Sequence, residues 1–452
     1  MGFERWFNRT LNKVWGFVED RTGMPKWALR PQPAFTFQPS YWTGAFVATA
    51  FIYQILSGLL LLLYYQPSVN PTYLACGQAA GTLSTAPAAW CSTSYIVNSV
   101  PMGSLLLSSH LYGAYEMIFL AFVHFFRGYY LGVYKSPREF SWMVGTLLLL
   151  TTLGMGFTGY LLPYTQISLN ATNVGIVLAL RLPYAGPLLG PLILSDGTGQ
   201  GLLSRMFAAH VLLLPLALGA LLYAHIALFE SHGIAPPATS DPVQRRRFTE
   251  SEDKKHVPFM PHIFFYMTKW ALLYIGLILG IAALWPWQLP TYAGNLTAAA
   301  VVTEPDWYFL WLFKLVDFTG VTPILAVGIS TVIILFILFL PFLDRSPRTH
   351  PRDRPFFVFL GNSMIAFFAT MTVWGGLTPG VQIVPMTVAA VLAPPVLVNA
   401  IVVWLFYRRY RANYRARLVA SGSGARLSGA YPLPASPTRA AASGRAEARA
   451  HE

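Results

Sequence analysis

Four histidines lie in apolar stretches of the sequence as two pairs with matched spacing. His110 and His124 are fourteen residues apart, and His210 and His225 are fifteen apart. Because an α-helix turns about 100° per residue, the members of each pair point roughly to one side of their helix, about 21–23 Å apart along its axis. Two neighbouring helices of this kind offer two stacked bis-imidazole sites. Imidazole is a common axial ligand of haem iron, so the pattern predicts two haems between two helices.

Other uses of these histidines explain the pattern less well. A single histidine in a membrane helix serves more often in packing or proton transfer than as a haem ligand, but four histidines in two matched pairs favour haem. Zinc needs all its ligands within one coordination sphere. Two histidines that lie about 21 Å apart along one helix cannot converge on a single ion.

Glycines repeat at the interval of the first histidine pair. In the first apolar stretch Gly44 and Gly58 are fourteen residues apart, and in the third stretch Gly145 and Gly159 are again fourteen apart. Glycine lets another group approach the backbone closely, so we expect these four to make room for a porphyrin edge at two depths. Packing of helices through small residues is the alternative, although it does not require this interval.

Eight apolar stretches have the length of a membrane-spanning helix. A hydrocarbon core of about 30 Å needs roughly 20 helical residues. Only 11% of the residues in this chain are charged, compared with about 25% in an average soluble domain. The sequence therefore predicts an all-α polytopic membrane protein with a four-helix dihaem bundle in its N-terminal half. The predicted spans are residues 42–65, 105–131, 142–163, 206–229, 264–285, 322–343, 356–376 and 383–407.

The net charge of +13 is distributed unevenly between the two sides of these spans. Of the 31 Lys and Arg residues, 28 lie in the N-terminal segment, the even-numbered loops and the tail, and only Arg181, Arg205 and Lys314 lie on the other side. Cytoplasmic loops carry an excess of Lys and Arg. We therefore expect a multi-pass protein of a prokaryotic-type cell membrane with both termini in the cytoplasm. The charge requires no nucleic acid, and anionic membrane lipid is the expected electrostatic partner.

Charge and composition divide the chain into five segments. Residues 1–40 lack a short apolar core before a cleavage site, so we interpret them as a cytoplasmic amphipathic segment and not as a signal peptide. A charged linker, 233–260, separates the four-helix dihaem domain, 41–232, from a second four-helix domain, 261–410. The basic tail, 411–452, has few large apolar residues, and much of it is expected to be disordered or bound to the membrane surface.

Both cysteines, Cys76 and Cys91, lie in the long loop after the first predicted span. This loop contains no Lys or Arg, so we expect it on the outer side of the membrane, where disulfides persist. A disulfide that closes the loop and two unpaired thiols are equally compatible with the sequence.

Several stretches elsewhere in the chain match one known family. They are QILSGLLL (54–61), GYLLPYTQIS (159–168), PDWY (305–308) and PFLDRSPR (341–348), together with Arg127 three residues after a helix histidine. Over about residues 35–405 the chain resembles cytochrome b, in which PEWY is the usual form of PDWY. The resemblance implies that His110 and His210 bind one haem near the outer surface and that His124 and His225 bind a second near the cytoplasm. Arg127 would pair with a haem propionate.

The resemblance also implies a divided oxidation of quinol in a cytochrome bc-type complex. At the outer site one electron would pass to a Rieske 2Fe–2S protein, and the second would cross the membrane through the two b-type haems. A quinone would be reduced near the cytoplasmic face, and protons would be released outside. The implied partners are the Rieske protein, a cytochrome c-type or other terminal acceptor, quinone, and a second copy of the chain in a homodimer.

Oxidation of a quinol removes two protons, which requires a titratable acceptor beside an apolar pocket. Asp306 of PDWY is the candidate, and a carboxylate that caps the following short helix is the alternative. In the manner of the family, Tyr308, Tyr160 and Pro163 would line the same pocket. The predicted quinone-binding residues at this site are Pro305, Asp306, Trp307, Tyr308 and Pro163.

Several positions depart from the family pattern. LPY (162–164) stands where many relatives have LPW, and the cytoplasmic side has no cysteine that could attach a third haem, so only two haems are predicted. The familiar carboxylate at the start of the fifth span is missing, and Lys269 lies nearby. His232 is the candidate substitute at the inner quinone site, and an ordinary loop histidine is an equally good interpretation.

Two other functions fit parts of the sequence. A dihaem anchor subunit of a dehydrogenase would move electrons without a Rieske partner, but such anchors usually need only four to six helices and no acid-bearing outer loop. A secondary transporter with histidine proton relays predicts internal repeats and broken helices, and the sequence shows neither. A reduced-minus-oxidised spectrum with haem quantitation separates the transporter from the two haem proteins.

Overall fold

The computed structural model describes most of the chain. The described residues are 2–22, 31–33, 36, 38–71, 86–182, 186–188, 190, 199–235, 237–238, 256–294, 303–346 and 348–420. The chain divides into two compact units, Met1–Ile401 and Val402–Glu452. Most of the predicted charged linker and the last 32 residues of the predicted basic tail lie outside the described residues.

Eight helical segments in the described part of the chain are long and apolar enough to cross a membrane. Each overlaps one of the eight predicted spans, which confirms the all-α polytopic fold class. The segments are Pro39–Leu62, Gly103–Tyr130, Glu139–Leu161, Gly199–His232, Phe259–Leu284, Pro323–Leu343, Pro355–Leu377 and Pro385–Arg411.

The helices are numbered here in chain order. They are α1 (Gly2–Thr22), α2 (Thr43–Leu62), α3 (Ala88–Asn98), α4 (Gly103–Tyr130), α5 (Glu139–Leu161), α6 (Gln166–Leu180), α7 (Gly199–Ala208), α8 (Leu214–His232), α9 (Phe264–Leu284), α10 (Leu310–Val316), α11 (Pro323–Leu343), α12 (Pro355–Leu377) and α13 (Pro385–Ala420). Two short strands, β1 (Pro31–Pro33) and β2 (His256–Pro258), pair antiparallel.

Three further helices of the described residues lie between the membrane-spanning segments. They are α3, α6 and α10, and they follow α2, α5 and the loop after α9. Helix α6 begins with a reciprocal cap, in which the Thr165 side chain accepts from the Ser168 amide and the Ser168 hydroxyl accepts from the Thr165 amide. Such a cap satisfies two amide groups that a helix start leaves unpaired, so α6 starts at a defined residue.

Helix α13 extends into the segment that was predicted to be a disordered tail. It ends at Ala420, ten residues beyond the predicted domain end at 410. The residues 411–420 are mainly Arg, Ala and Leu, which are among the strongest helix formers. Local propensity therefore continues the helix where the hydrophobic pattern has already ended.

The N-terminal half packs as pairs of neighbouring helices. Helix α2 packs along α4, and α5 packs along α8. Helix α9 packs against α4 and α2, and α11 packs against α5 and α6. In the described residues α4 and α8 do not pack closely against each other. The helices that carry the histidines are therefore separated by a gap, which α2 and α5 flank.

The helix that contains His210 changes its winding at that residue. Between α7 and α8, Ala209–Leu213 forms one π-helical turn, which accommodates one more residue than an α-turn. Pro215, at the start of α8, has no amide hydrogen to donate to the turn before it. The extra residue of the fifteen-residue spacing is absorbed here, so that His210 and His225 point to the same side.

A buried cluster closes the end of the bundle where α5 ends. Leu161, Ile176 and Leu203 are each at most 3% exposed and belong to this cluster. Cys91 on α3 is also buried and is disulfide-bonded. Cys76, the other cysteine of the sequence, lies outside the described residues.

A buried ionic network ties the α4–α5 loop to the start of α12. The Asp344 carboxylate, which follows α11, lies 2.7 Å from Lys135 Nζ and 2.8 Å from Arg354 Nε. It also accepts a hydrogen bond from the Tyr134 hydroxyl at 2.6 Å. Asp344 and Arg354 are each 3% exposed. Two cationic side chains are therefore buried against one carboxylate. Its negative charge offsets the cost of removing their positive charges from water.

Replacement of this carboxylate tests how far the network stabilises the fold. We expect Asp344→Asn to lower the free energy of unfolding by about 3–5 kcal/mol, because two buried cations lose their counter-charge. Arg345→Gln is the matched control, since Arg345 is the next residue and is exposed. The measurement is thermal unfolding of the two variants in the same detergent. Equal melting temperatures would contradict the expectation.

Candidate functional site

The structure brings the four predicted histidines together as two pairs across the gap between α4 and α8. The ring centroids of His110 and His210 are 6.4 Å apart with an interplanar angle of 78°. The ring centroids of His124 and His225 are also 6.4 Å apart, again with an interplanar angle of 78°. The two sites therefore have the same geometry at two depths of the bundle.

This separation fits a metal that is coordinated by both rings. An imidazole nitrogen lies about 2 Å from a bound metal ion and about 1 Å from its ring centre, so two rings on opposite sides of a metal have centroids about 6 Å apart. In the described residues no group of three or more His, Cys, Asp or Glu side chains could hold a metal ion. A metal with two protein ligands needs a group that fills its remaining positions, which suits a flat macrocycle in the gap.

Hydroxyl groups fix the orientation of three of the four imidazoles. Ser57 Oγ lies 2.8 Å from His110 Nδ1, and Thr43 Oγ1 lies 2.9 Å from His124 Nδ1. The Ser57 hydroxyl donates its single proton to the Tyr53 carbonyl at 2.8 Å. It must therefore accept from Nδ1–H, which leaves Nε2 of His110 unprotonated and free to bind a metal.

The same arrangement recurs at His210. Its Nδ1 lies 3.0 Å from the Met155 carbonyl and 3.3 Å from Thr158 Oγ1. The Thr158 hydroxyl donates to the Gly154 carbonyl at 2.9 Å, so Nδ1 of His210 again carries the proton. Each Nδ1–H that is held in this way directs Nε2 of its ring away from the flanking helix.

Each of the four glycines lies directly against one imidazole ring. A Cβ atom at Gly159 would lie 2.6 Å from His210 Cε1, which is too close for two carbon atoms. At Gly58, Gly44 and Gly145 the corresponding distances to His110, His124 and His225 are 3.3, 3.1 and 3.1 Å. The glycines therefore leave room for the imidazole rings, and their role beside a porphyrin edge stays a prediction.

Arg127 lies one helical turn beyond His124 on α4. Its guanidinium carbon lies 4.6 Å from the centre of the Tyr41 ring. Its Nε is buried and has no hydrogen-bond partner within the described structure. A half-buried cation with an unused donor next to one imidazole pair is suited to bind an anionic group there.

The predicted acid, Asp306, is held by two tyrosine hydroxyls. Tyr115 on α4 donates to Asp306 Oδ1 at 2.6 Å, and Tyr308 donates to Asp306 Oδ2 at 2.8 Å. Burial raises the pKa of the Asp306 carboxyl above its usual value, and the two hydrogen bonds act in the opposite direction. The Asp306 carboxyl therefore ionises at a higher pH than the carboxyl of an exposed aspartate.

A small cavity lies beside this carboxyl. Its lining includes Tyr160, Thr172, Pro305, Asp306, Tyr308 and Phe309. The Tyr160 hydroxyl donates to the Glu304 carbonyl at 2.7 Å and so joins α5 to the loop before Asp306. The space open to water is about 10 Å³, about what one water molecule needs. A larger ligand therefore requires the surrounding side chains to move.

Three residues of the predicted quinone-binding set are not part of this lining. Trp307 packs against Phe122, with ring centroids 6.4 Å apart, and Pro163 is half-buried where α5 ends. His232 ends α8, close to His225 and away from this cavity. Its Nδ1 lies 2.8 Å from the Leu228 carbonyl.

Known protein families match both halves of the chain. Residues 115–291 match the family model described as cytochrome b(N-terminal)/b6/petB, and residues 293–393 match cytochrome b(C-terminal)/b6/petD. Cytochrome b of Sulfolobus acidocaldarius is 35% identical over 416 residues, which cover 86% of this chain and 70% of that protein. The chain belongs to the cytochrome b family.

Other relatives and a solved structure agree with this membership. The cytochrome bc complex cytochrome b subunit of Chlorobaculum thiosulfatiphilum is 32% identical over 345 residues, 76% of this chain and 74% of that protein. The menaquinol:cytochrome c reductase cytochrome b subunit of Bacillus subtilis is 34% identical over 239 residues, 50% of this chain and 99% of that protein. A chain of a hyperthermophilic respiratory Complex III superposes with a TM-score of 0.63 at 25% identity, covering 87% of this chain and 96% of that chain.

Membership in the cytochrome b family makes the chain a multi-pass membrane protein of electron transport, in a family that binds b-type haem. The matches extend through both halves, so the family favours neither the dehydrogenase anchor nor the secondary transporter. The family membership does not by itself assign haem ligands. The geometry of the imidazole pairs is the observation that bears on them.

Sequence reasoning missed the residues that orient the histidines and the acid. Thr43, Ser57 and Thr158 each directly precede one of the repeated glycines, so hydroxyl–glycine dipeptides were a signal that could have been found. The fourth glycine, Gly145, follows Val144, which has no hydroxyl, so the pattern holds for only three of the four glycines. Tyr115 had no such signal, because a tyrosine in an apolar helix is usually a packing or interfacial residue.

Proposed function

We propose that the chain is the cytochrome b subunit of a quinol-oxidising bc-type complex in a prokaryotic-type cell membrane, with both termini in the cytoplasm. The observation that supports this most directly is the combination of two imidazole pairs of the same geometry with a half-buried carboxyl beside a cavity. The relatives named above as bc complex and menaquinol:cytochrome c reductase subunits agree with it. The 28 Lys and Arg residues on one side support the orientation.

The proposed ligands are His110 and His210 for an outer b-type haem and His124 and His225 for an inner one. Bound haem supplies one-electron carriers, which let an electron cross the apolar interior. The hydroxyl groups at Nδ1 keep Nε2 of the rings available and fix their direction. Arg127 would neutralise a haem propionate with its unused Nε. The domain of residues 41–232 would thus hold both haems.

The steric role of the glycines provides a test of this ligand set. We expect Gly159→Ala to displace His210, because the new Cβ would lie 2.6 Å from its Cε1. The b-type haem per chain should fall by up to about half, since one of two proposed sites loses its ligand orientation. Gly154→Ala on the same helix is the control, because its Cβ would meet only Leu214 at 3.7 Å. Haem quantitation of the two purified variants is the measurement, and equal haem content would contradict the ligand set.

The outer cavity is the proposed site of quinol oxidation. One electron would leave to a Rieske 2Fe–2S partner and on to a cytochrome c-type or other terminal acceptor, and the second would pass inward through the two haem sites. Asp306 accepts a proton from a quinol hydroxyl, while its carboxylate is held by Tyr115 and Tyr308. Protons released from Asp306 would leave on the outer side, which couples oxidation to proton translocation.

Replacement of the acid should abolish most of the turnover. We expect Asp306→Asn to lower quinol-dependent reduction of the acceptor by about a hundredfold or more, because a positioned general base contributes about 10²–10⁴. In the unmodified protein the rate should fall on acidification at a pH above about 4, the usual value for aspartate, because burial raises the pKa of Asp306. A normal rate in the variant would contradict the assignment of Asp306. Absence of any quinol-dependent activity in the unmodified complex would contradict the function itself.

Tyr115 should act through Asp306. Tyr115→Phe removes a hydrogen bond that lowers the pKa of the Asp306 carboxyl, so we expect the acidic limb of the rate profile to move to higher pH. Tyr112→Phe is the matched control on the same helix, because the Tyr112 hydroxyl donates to the Trp285 carbonyl and not to Asp306. The other titratable groups near Asp306 are Tyr160, Tyr308 and Glu304, and both variants retain them. Identical pH profiles for the two variants would contradict the role of Tyr115.

The inner quinone site and the assembly complete the proposal. His232 ends the helix that carries His225, and it is the candidate contact for a quinone near the cytoplasmic face. Since its Nδ1 faces the Leu228 carbonyl, Nε2 is the atom that could contact the quinone. A homodimer with a Rieske partner is the proposed assembly, and purification of the intact complex with identification of its subunits tests it.

A further inference from the structure

Thr172 on α6 has a buried hydroxyl that the structure leaves unused. The residue is 1% exposed, and its Oγ1 has no hydrogen-bond partner in the part of the chain that the structure describes. A buried polar atom without a partner costs free energy, so each such atom calls for an explanation. The explanation has to come from the surroundings of α6.

The other buried threonines of the described helices each have a hydrogen-bond partner. Thr146, Thr152 and Thr331 each donate to the carbonyl four residues earlier in their own helix, at 3.0, 2.9 and 2.8 Å. That bond is the default way in which a threonine hydroxyl is satisfied inside a helix. Thr172 lies well inside α6, which extends from Gln166 to Leu180, yet it does not use this option.

The neighbours of Thr172 indicate what its hydroxyl can bind. Thr172 lines the same cavity as Asp306 and Tyr308. The remaining lining includes the aromatic side chains of Phe157, Phe309 and Phe313, which offer no hydrogen-bond acceptor. The hydroxyls of Tyr308 and Tyr160 are already committed, to Asp306 and to the Glu304 carbonyl. In this lining the Thr172 hydroxyl is the donor that remains available to a ligand.

We propose that Thr172 is a quinol-binding residue of the outer site, whose hydroxyl forms a hydrogen bond with an oxygen atom of the quinol head group. This rests on the proposed quinol oxidation at the same cavity. A quinol ring is flat and apolar, which suits the phenylalanine side chains, and its oxygen atoms need polar partners when they leave water. Asp306 serves one oxygen atom as proton acceptor, and Thr172 supplies a second polar contact on another wall, formed by α6.

Such a contact would contribute to substrate selection. A site that contains a buried hydrogen-bonding group favours a ligand that pairs with it over one that does not, because the group otherwise stays unpaired. In the closed cavity, whose water-accessible space is about 10 Å³, the hydroxyl has room for at most one water molecule. Entry of quinol would replace that water by a ring oxygen.

The test removes the hydroxyl while retaining the shape of the side chain. We expect Thr172→Val to lower kcat/KM for a water-soluble quinol by about tenfold, mainly through KM, while Thr172→Ser keeps most of the activity. Thr172→Ala provides a second hydroxyl-free variant that introduces no bulk. The assays use the intact complex, with haem content as the check that each variant has assembled.

Thr152→Val is the matched control. Thr152 is also a buried threonine on a helix, but its hydroxyl bonds to its own backbone, so this variant should retain a normal KM. Normal KM values in Thr172→Val and Thr172→Ala would overturn the inference, and so would a loss in Thr172→Ser as large as that in Thr172→Val. If either result were found while the unmodified complex oxidised quinol and Asp306→Asn did not, only the role of Thr172 would be wrong and the proposed function would stand. If the unmodified complex oxidised no quinol, the proposed function would fail as well.

Discussion

The hydrogen bonds at Nδ1 of the histidines are the interaction on which the rest of the bundle depends. Hydroxyls that are themselves anchored to backbone carbonyls hold His110 and His210 by one nitrogen and leave the other directed into the gap. Glycines allow the rings to approach the flanking helices. Both ring pairs then span the gap between α4 and α8 with the same separation of 6.4 Å.

The cavity beside Asp306 shows why both halves of the chain are needed. Thr172 lines it from α6, and Asp306 lines it from the loop before α10. Tyr115, on the helix that carries His110, holds the Asp306 carboxylate by a hydrogen bond. No single helix could place a proton acceptor, a hydroxyl donor and aromatic walls around one ligand. The ionic network around Asp344 connects the same two halves at another point. Assembly of the two halves is thus a condition for the proposed chemistry.

Much of the fold could be predicted from the sequence, because a membrane-spanning helix needs about 20 consecutive, mostly apolar residues, which are visible in the sequence. The histidine pairs were predictable for the same reason, since polar residues stand out in an apolar helix. The partners of those residues were not, because Ser57 and Tyr115 are ordinary in a helix and gain a role only through neighbours distant in sequence. The short helix α6 was not predicted, because its fifteen residues are too few to span a membrane and its start depends on a cap between Thr165 and Ser168.

Because of the π-helical turn at Ala209–Leu213, the number of residues between two histidines does not by itself fix where their rings lie. One helix holds its imidazoles fourteen residues apart and the other fifteen, yet both pairs of rings are separated by 6.4 Å. A single inserted residue has thus been accommodated where it occurs, without rotating the helix beyond it. Motif searches that demand one fixed interval would overlook such a chain, whereas the arrangement of the side chains in space is unchanged.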